Sequence, residues 1–182
     1  MIMVGETRDQ ETARMAVEAS TTGHTVLTSM HTNSALEAMF RLLDLGCERY
    51  AIANSLLGVL HQRLVRKLCP NCSETCEYPA PIIERLQRAG AFASNEAPAL
   101  RRGVGCQRCN GTGFKGRAAV TELLVASDAV RTAFSAGADL SQLRPVAKNG
   151  ALFEMHRCAG ALLSLGVTTP GEVLHLLQNV GS

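Results

Sequence analysis

The sequence has no tryptophan, and aromatic residues make up only 4% of its 182 positions. A core built from it must be aliphatic, and a hydrophobic fraction of 46% is enough to pack one. The length holds one ordinary domain or two small ones. Strong charge is also missing. A net charge of +2 gives no electrostatic footprint for nucleic acid, and no such partner is expected. No apolar run approaches a membrane-spanning length, and no cleavable signal is visible, so a cytosolic location is expected. In that reducing compartment, the seven cysteines read as metal ligands and spare thiols before disulfides.

The opening stretch organises the chain. Ile2-Met3-Val4-Gly5 is a short apolar run that stops at Glu6. This pattern predicts a buried parallel strand that ends in a charge as it leaves the sheet. Thr25 to Ser29 repeats the layout and is followed by His31. In open α/β sheets ligands bind at the carboxyl edge of the strands, so two neighbouring strand ends would bring Glu6 and His31 into one site. Taken alone, Glu6 reads as a strand-end or helix-capping acid.

Helices are expected from local signals. Asp9 can cap one that carries a small-residue face at Ala13, Ala16, Val17 and Ser20, ended by Gly23. Ser34-Ala35-Leu36-Glu37 is a capping box opening a helix that stops at Gly46. A helical stretch at 50–57, a strand at 60–68, a short helix ending before Gly90 and a loop at 91–105 follow. A strand at 118–125 comes next. Ser127 and Asp139 can cap further helices, a long apolar helix is expected over 152–165, and Thr169-Pro170-Gly171-Glu172 is a capping box for a helix over 173–180.

Cys69-Pro70-Asn71-Cys72 and Cys106-Gln107-Arg108-Cys109 are two C-x-x-C pairs. Each can form a knuckle that aims two thiolates at one ion, and two knuckles complete a tetrahedral zinc site. The long intervening segment adds little closure entropy. Cys76 lies near the first knuckle but is poorly spaced as a ligand. Cys47 and Cys158 are expected on helices as small core residues. His61, His156 and His175 read as structural or solvated.

The residues around these features resemble one family. Val4-Gly5-Glu6-Thr7-Arg8-Asp9-x-Glu11-Thr12 looks like the Walker B segment of the type II secretion and type IV pilus assembly ATPases, and Thr22-Gly23-His24 through His31-Thr32-Asn33 like their His box. Thr7 stands where the family has a large apolar residue, and Thr28-Ser29-Met30-His31 where it has Ser-Thr-Leu-His. Gln62-Arg63-Leu64-x-Arg66-x-Leu68-Cys69, the Gly111-x-Gly113-Phe114-x-Gly116-Arg117 turn with Glu122-Leu123-Leu124, and Gly166 to Leu174 extend the likeness. Many assembly and secretion members carry the tetracysteine motif; retraction ATPases of the superfamily generally do not. The second knuckle also matches a zinc repeat of J-domain co-chaperones, but the first lacks that repeat's glycines.

The resemblance implies an α/β fold: the C-terminal part of a RecA-like P-loop NTPase core (1–68), a tetracysteine zinc subdomain (69–116), and a strand with a helical tail (117–182). It implies ATP, Mg²⁺ and Zn²⁺ as cofactors. Glu6 would be the Walker B carboxylate for the Mg²⁺ shell and attacking water, and His31 would contact the γ-phosphate. Gly5 and Arg8 would line the nucleotide with them, Arg8 either tying the Walker B loop to its surroundings or making only a surface ion pair, and His24 would stand further off. Cys69, Cys72, Cys106 and Cys109 would hold zinc. It further implies a hexamer at the cytoplasmic side of the inner membrane, working with an inner-membrane platform and accessory proteins. No G-x-x-x-x-G-K-[ST] loop occurs in the 182 residues, so the chain is expected to be part of a longer protein and to be inactive alone. A reading from another class is a zinc-stabilised interaction module without chemistry. In it Arg63, Arg66, Lys67, Arg101, Arg102, Arg108, Lys115 and Arg117 would face acidic phospholipid or an acidic partner.

Overall fold

The computed structural model describes residues 1–93 and 98–178. The middle of the expected 91–105 loop and the end of the helix expected to reach Val180 lie outside the described residues. The chain folds as two compact units, one formed by 1–61 and 122–153, the other by 62–121 and 154–182.

In the first unit, β1 (Ile2–Val4) and β2 (Val26–Thr28) pair in parallel, with Ile2 opposite Val26 and Val4 opposite Thr28. Between them runs α1 (Gln10–Thr21), capped by Asp9, whose carboxylate accepts the Thr12 N–H at 2.9 Å. The parallel pairing is as expected, but the burial is not. Ile2, Met3 and Leu27 are exposed, because this two-stranded sheet has no further strand among the described residues. Next come α2 (Ala35–Asp44) and α3 (Arg49–Ser55). Cys47 lies in the link between them, not on a helix, and is buried there.

Two long strands, β3 (Gly58–Leu68) and β6 (Phe114–Val125), contribute residues to both units. The short strands β4 (Ser73–Thr75) and β5 (Arg101–Gly103) and helix α4 (Ala80–Arg88) lie between them in sequence. After β6 the first unit is completed by α5 (Asp128–Ser135), α6 (Leu140–Lys148) and β7 (Leu152–Phe153), with sheet order β3-β6-β7. Ser127 and Asp139 cap the two helices as expected. The first unit's core is Leu36, Met39, Ile52, Leu124, Val130, Phe134 and Leu143. Its single aromatic pair, among the described residues, sets Phe40 edge-on to Phe134 at 5.5 Å, with the Arg49 guanidinium 5.0 Å over Phe134.

The second unit closes with α7 (Met155–Ser164) and α8 (Pro170–Gln178). The long helix expected over 152–165 is therefore split. Leu152 and Phe153 pair with Leu124 and Leu123 instead, and the helix begins at Met155. The unit's core is Leu86, Phe92, Val120, Met155, Ala159, Leu163 and Val173. Gly160 lets α7 meet the backbone at Ala91: a Cβ there would stand 1.5 Å from the Ala91 carbonyl oxygen. No described helix is long and apolar enough to cross a membrane.

Candidate functional site

The first site lies where β1 and β2 end, in the first unit. The two strand ends are stitched together beyond their ladder. Thr7 N–H donates to Ser29 O at 2.8 Å, and Ser29 Oγ donates to Gly5 O at 2.6 Å. The Thr7 and Thr28 hydroxyls lie 2.8 Å apart, with Thr7 only 3% exposed. A threonine occupies this buried place because its hydroxyl has a partner.

This stitching sets Glu6 beside His31. Glu6 Oε1 is 3.1 Å from His31 Nε2 and 2.6 Å from Arg8 Nε. The Arg8 guanidinium holds the Glu6 carboxyl below the usual carboxylate range, so Glu6 is an anion at neutral pH. The His31 and Arg8 side chains are well exposed, at 89% and 74%. Arg8 thus touches Glu6 itself. Gly5 presents its carbonyl to Ser29, and His24 is in the link before β2. A charged carboxylate oxygen is the donor type that Mg²⁺ prefers, so Glu6 fits a place beside that ion or its water shell. The imidazole can donate one hydrogen bond and accept another.

His31 is placed by the start of α2. Ser34 Oγ accepts the Glu37 N–H at 3.3 Å, while Glu37 Oε2 accepts the Asn33 N–H at 3.1 Å. The expected capping box is therefore shifted by one residue on its return side. One residue was missed by the sequence reading. Glu122, 6% exposed, accepts the Ala35 N–H at 2.7 Å. The signal was present: Val120, Glu122 and Leu124 alternate along β6 and all three are buried, which makes an acid in that register notable.

The second site lies in the second unit and joins the two C-x-x-C pairs. The first knuckle leads into β4 and the second follows β5. Their antiparallel pairing, Ser73 to Gly103 and Thr75 to Arg101, brings the pairs together. Gly103 and Gly113 pass so closely that a Cβ on Gly103 would lie 2.2 Å from the Gly113 carbonyl oxygen. Cys69 N–H donates to Gly113 O at 2.9 Å, tying the first knuckle to the turn after the second. That turn carries Asn110, Gly111 and Gly113 at positive φ.

All four sulfurs, of Cys69, Cys72, Cys106 and Cys109, lie within 4.8 Å of one another. Sγ–Sγ distances are 3.9 Å for Cys69–Cys106 and 3.8 Å for both Cys72–Cys109 and Cys106–Cys109. A tetrahedron with Zn–S near 2.3 Å has an edge of about 3.8 Å, so the cluster fits zinc. Burial pushes the Cys109 thiol up, but N–H donors from Cys106 and Gly113, each at 3.2 Å, and the adjacent sulfurs bring it down to about 6. Burial pushes Cys72 up to about 12. Four thiolates at this spacing repel one another unless a cation sits among them. Cys76 stays outside the cluster and turns its Sγ to the Glu77 carbonyl. Cys158 sits on α7, half-buried, near the Thr121 N–H.

Much of the basic rim is engaged within the second unit. Arg66 makes a two-nitrogen contact with Glu172, and Arg102 does the same with Glu74. Arg101 donates to Ser73 O, and Arg108 to Asn71 Oδ1. Glu172 was expected to close a capping box at α8. Thr169 Oγ1 does accept the Glu172 N–H, at 3.4 Å, but the Glu172 carboxylate is held by Arg66.

Comparison with known proteins supplies a family. The family described as "Type II/IV secretion system protein" matches residues 1–175. The chain is 42% identical over 175 residues to the type IV pilus assembly ATPase PilB of Thermus thermophilus, covering 96% of this chain and 19% of that protein. It is 46% identical over 142 residues to the type II secretion system protein E of Aeromonas hydrophila, covering 78% and 28%. The type II secretion system protein HxcR of Pseudomonas aeruginosa is 38% identical over 179 residues, covering 98% and 34%. The chain thus spans about a fifth to a third of these relatives. Among solved structures, the pilus retraction motor PilT with bound ADP superposes with a TM-score of 0.62 at 21% identity, covering 96% of this chain and 39% of that one. The ATPase DotB of Legionella pneumophila gives 0.61 at 21%, covering 97% and 38%. These two likenesses are of fold.

Proposed function

We propose a function from the premise that this chain belongs to the Type II/IV secretion system protein family: it is the C-terminal part of an ATPase that drives type II secretion or type IV pilus assembly. Its first residues belong to a RecA-like core, and its cysteines hold one structural zinc. The protein works as a hexamer on the cytoplasmic face of the inner membrane, against a membrane-embedded platform.

The observation that carries this reading is the 3.1 Å contact between Glu6 Oε1 and His31 Nε2 at the carboxyl end of a parallel strand pair. Mg²⁺, when bound with ATP, supplies charge neutralisation for the transferring phosphoryl group. Glu6 keeps its charge under the influence of Arg8 and orients the water that attacks. His31, close to Glu6 and otherwise exposed, offers an N–H to a phosphate oxygen. Arg8 holds the Glu6 carboxylate until nucleotide arrives. Positioning and charge stabilisation of this kind make up most of phosphoryl-transfer catalysis. Cys69, Cys72, Cys106 and Cys109 act on stability alone, since a four-thiolate site keeps no open position for a substrate.

The purely adhesive reading is less well supported, because Arg66, Arg101, Arg102 and Arg108 already have partners in their own unit. The deciding experiment measures ATP turnover by residues 1–182 and by a longer chain that carries them after a Walker A loop. Activity in the longer chain alone supports the proposal. Absence of turnover in both, with the longer chain folded, would remove it.

A further inference from the structure

We propose that Glu122 is a positioning residue for His31. It acts through the first N–H of α2, and the proposal rests on the role of His31 argued above. Glu122 lies 87 positions from its partner in sequence, on the buried face of β6, and is 6% exposed. Burying a carboxylate is costly unless it is hydrogen-bonded. Here it accepts the Ala35 N–H at 2.7 Å, at the end of the helix where the backbone dipoles favour negative charge.

Local hydrogen bonds hold the segment from Thr32 to Glu37. Thr32 Oγ1 donates to Ser34 O at 3.1 Å, Asn33 N–H donates to Glu37 Oε2 at 3.1 Å, and Ser34 caps the helix. Ser34 and Ala35 are themselves buried. The three contacts within the segment are local and would travel with it if it moved. Glu122 ties this local structure to β6 by a hydrogen bond, alongside the packing of Leu36 and Met39 in the core. His31 stands between two anchors, the strand-end stitching at Ser29 on one side and the Glu122-held start of α2 on the other, and its 89% exposed side chain meets Glu6 Oε1 at 3.1 Å. A shift of about 1 Å in a group that meets the reacting centre can reduce rate by about a hundredfold.

The test uses three variants. Glu122→Ala removes the acceptor. Glu122→Gln keeps an acceptor oxygen and the side-chain shape. Ala35→Pro removes the donor at the first helical position, where proline is tolerated and Ser34 already has the extended backbone that precedes it. It covers the case in which Glu122→Ala does not fold. In the longer, Walker A-containing protein, Glu122→Ala and Ala35→Pro should lower kcat about tenfold or more while KM for ATP changes less than about twofold. Glu122→Gln should recover most of the rate.

In residues 1–182, the ¹³Cε1 resonance of His31, assigned by its loss in His31→Ala, should move in Glu122→Ala and return in Glu122→Gln. Parental kcat and an unmoved His31 resonance in both Glu122→Ala and Ala35→Pro would overturn the proposal, even if the melting temperature falls. The resonance reads the geometry without turnover. A parent protein that hydrolyses no ATP would therefore sink the proposed function and leave this inference to be decided by the spectrum.

Discussion

Thr7 and Thr28 face each other across the ends of β1 and β2, their hydroxyl oxygens 2.8 Å apart. The two hydroxyls are partners. A hydroxyl buried at residue 7 needs a hydrogen bond, and Thr28 supplies it. Thr7→Val should destabilise the first unit by about 1 kcal/mol. Thr7→Val with Thr28→Val should cost less than the sum of the two single changes. Denaturant titration of the four proteins of this cycle checks it; strict additivity would mean that the hydroxyls do not interact.

Zinc removal should loosen the second unit. We expect one zinc per chain, held by the four clustered cysteines. Because thiolate binding is linked to folding, a chelator should lower the unit's thermal transition and make all four thiols titratable. Metal analysis and thiol titration check this. Protein purified without zinc, with the same melting temperature before and after chelation, would contradict it.

Acid should weaken the second unit through Glu172. The Arg66 guanidinium beside it holds the carboxyl below its usual value of 4.5. A carboxyl whose folded value is lowered adds stability above its unfolded value and loses it as pH falls through the folded one. Stability should therefore be level near neutrality and decline below about pH 4.5 as far as the depressed value. Glu172→Gln should flatten that part of the curve. Melting temperature against pH for both proteins is the measurement, and parallel curves would remove the assigned role.

Gly160→Ala should be severe. The new Cβ meets backbone at Ala91, which cannot rotate away as a flexible side chain would. A destabilisation of about 1–3 kcal/mol is expected from such overpacking, read by denaturant unfolding. Wild-type stability would mean that α7 and the Ala91 segment are not in close contact.

How much of this was legible in the sequence depended on whether the deciding partner was near. The caps at Asp9, Ser34, Ser127 and Asp139 were readable because each is satisfied within three residues. The cysteine cluster was readable because the C-x-x-C spacing carries its own geometry. Leu152 and Phe153 look helical in an apolar run, but they are claimed by the edge of β6, about 30 positions earlier in the chain. Arg101 to Gly103 has no strand signal, and its pairing with Ser73 to Thr75 accompanies the meeting of the two knuckles. The Glu172 carboxylate fits the capping-box pattern and goes to Arg66 instead, 106 positions away. Glu122 was missed for the same reason, its partner Ala35 being invisible to any local pattern.

Glu6 and His31 are proposed as the hydrolytic half of an ATPase site. That role is tested most directly by ATP turnover and nucleotide binding in the longer, Walker A-containing protein carrying Glu6→Gln. Glutamine keeps the shape of the side chain and removes the charge that orders metal and water. Nucleotide affinity close to the parent's is expected, with hydrolysis reduced by about a hundredfold or more. Glu6→Gln protein that hydrolyses ATP at the parental rate would contradict that role.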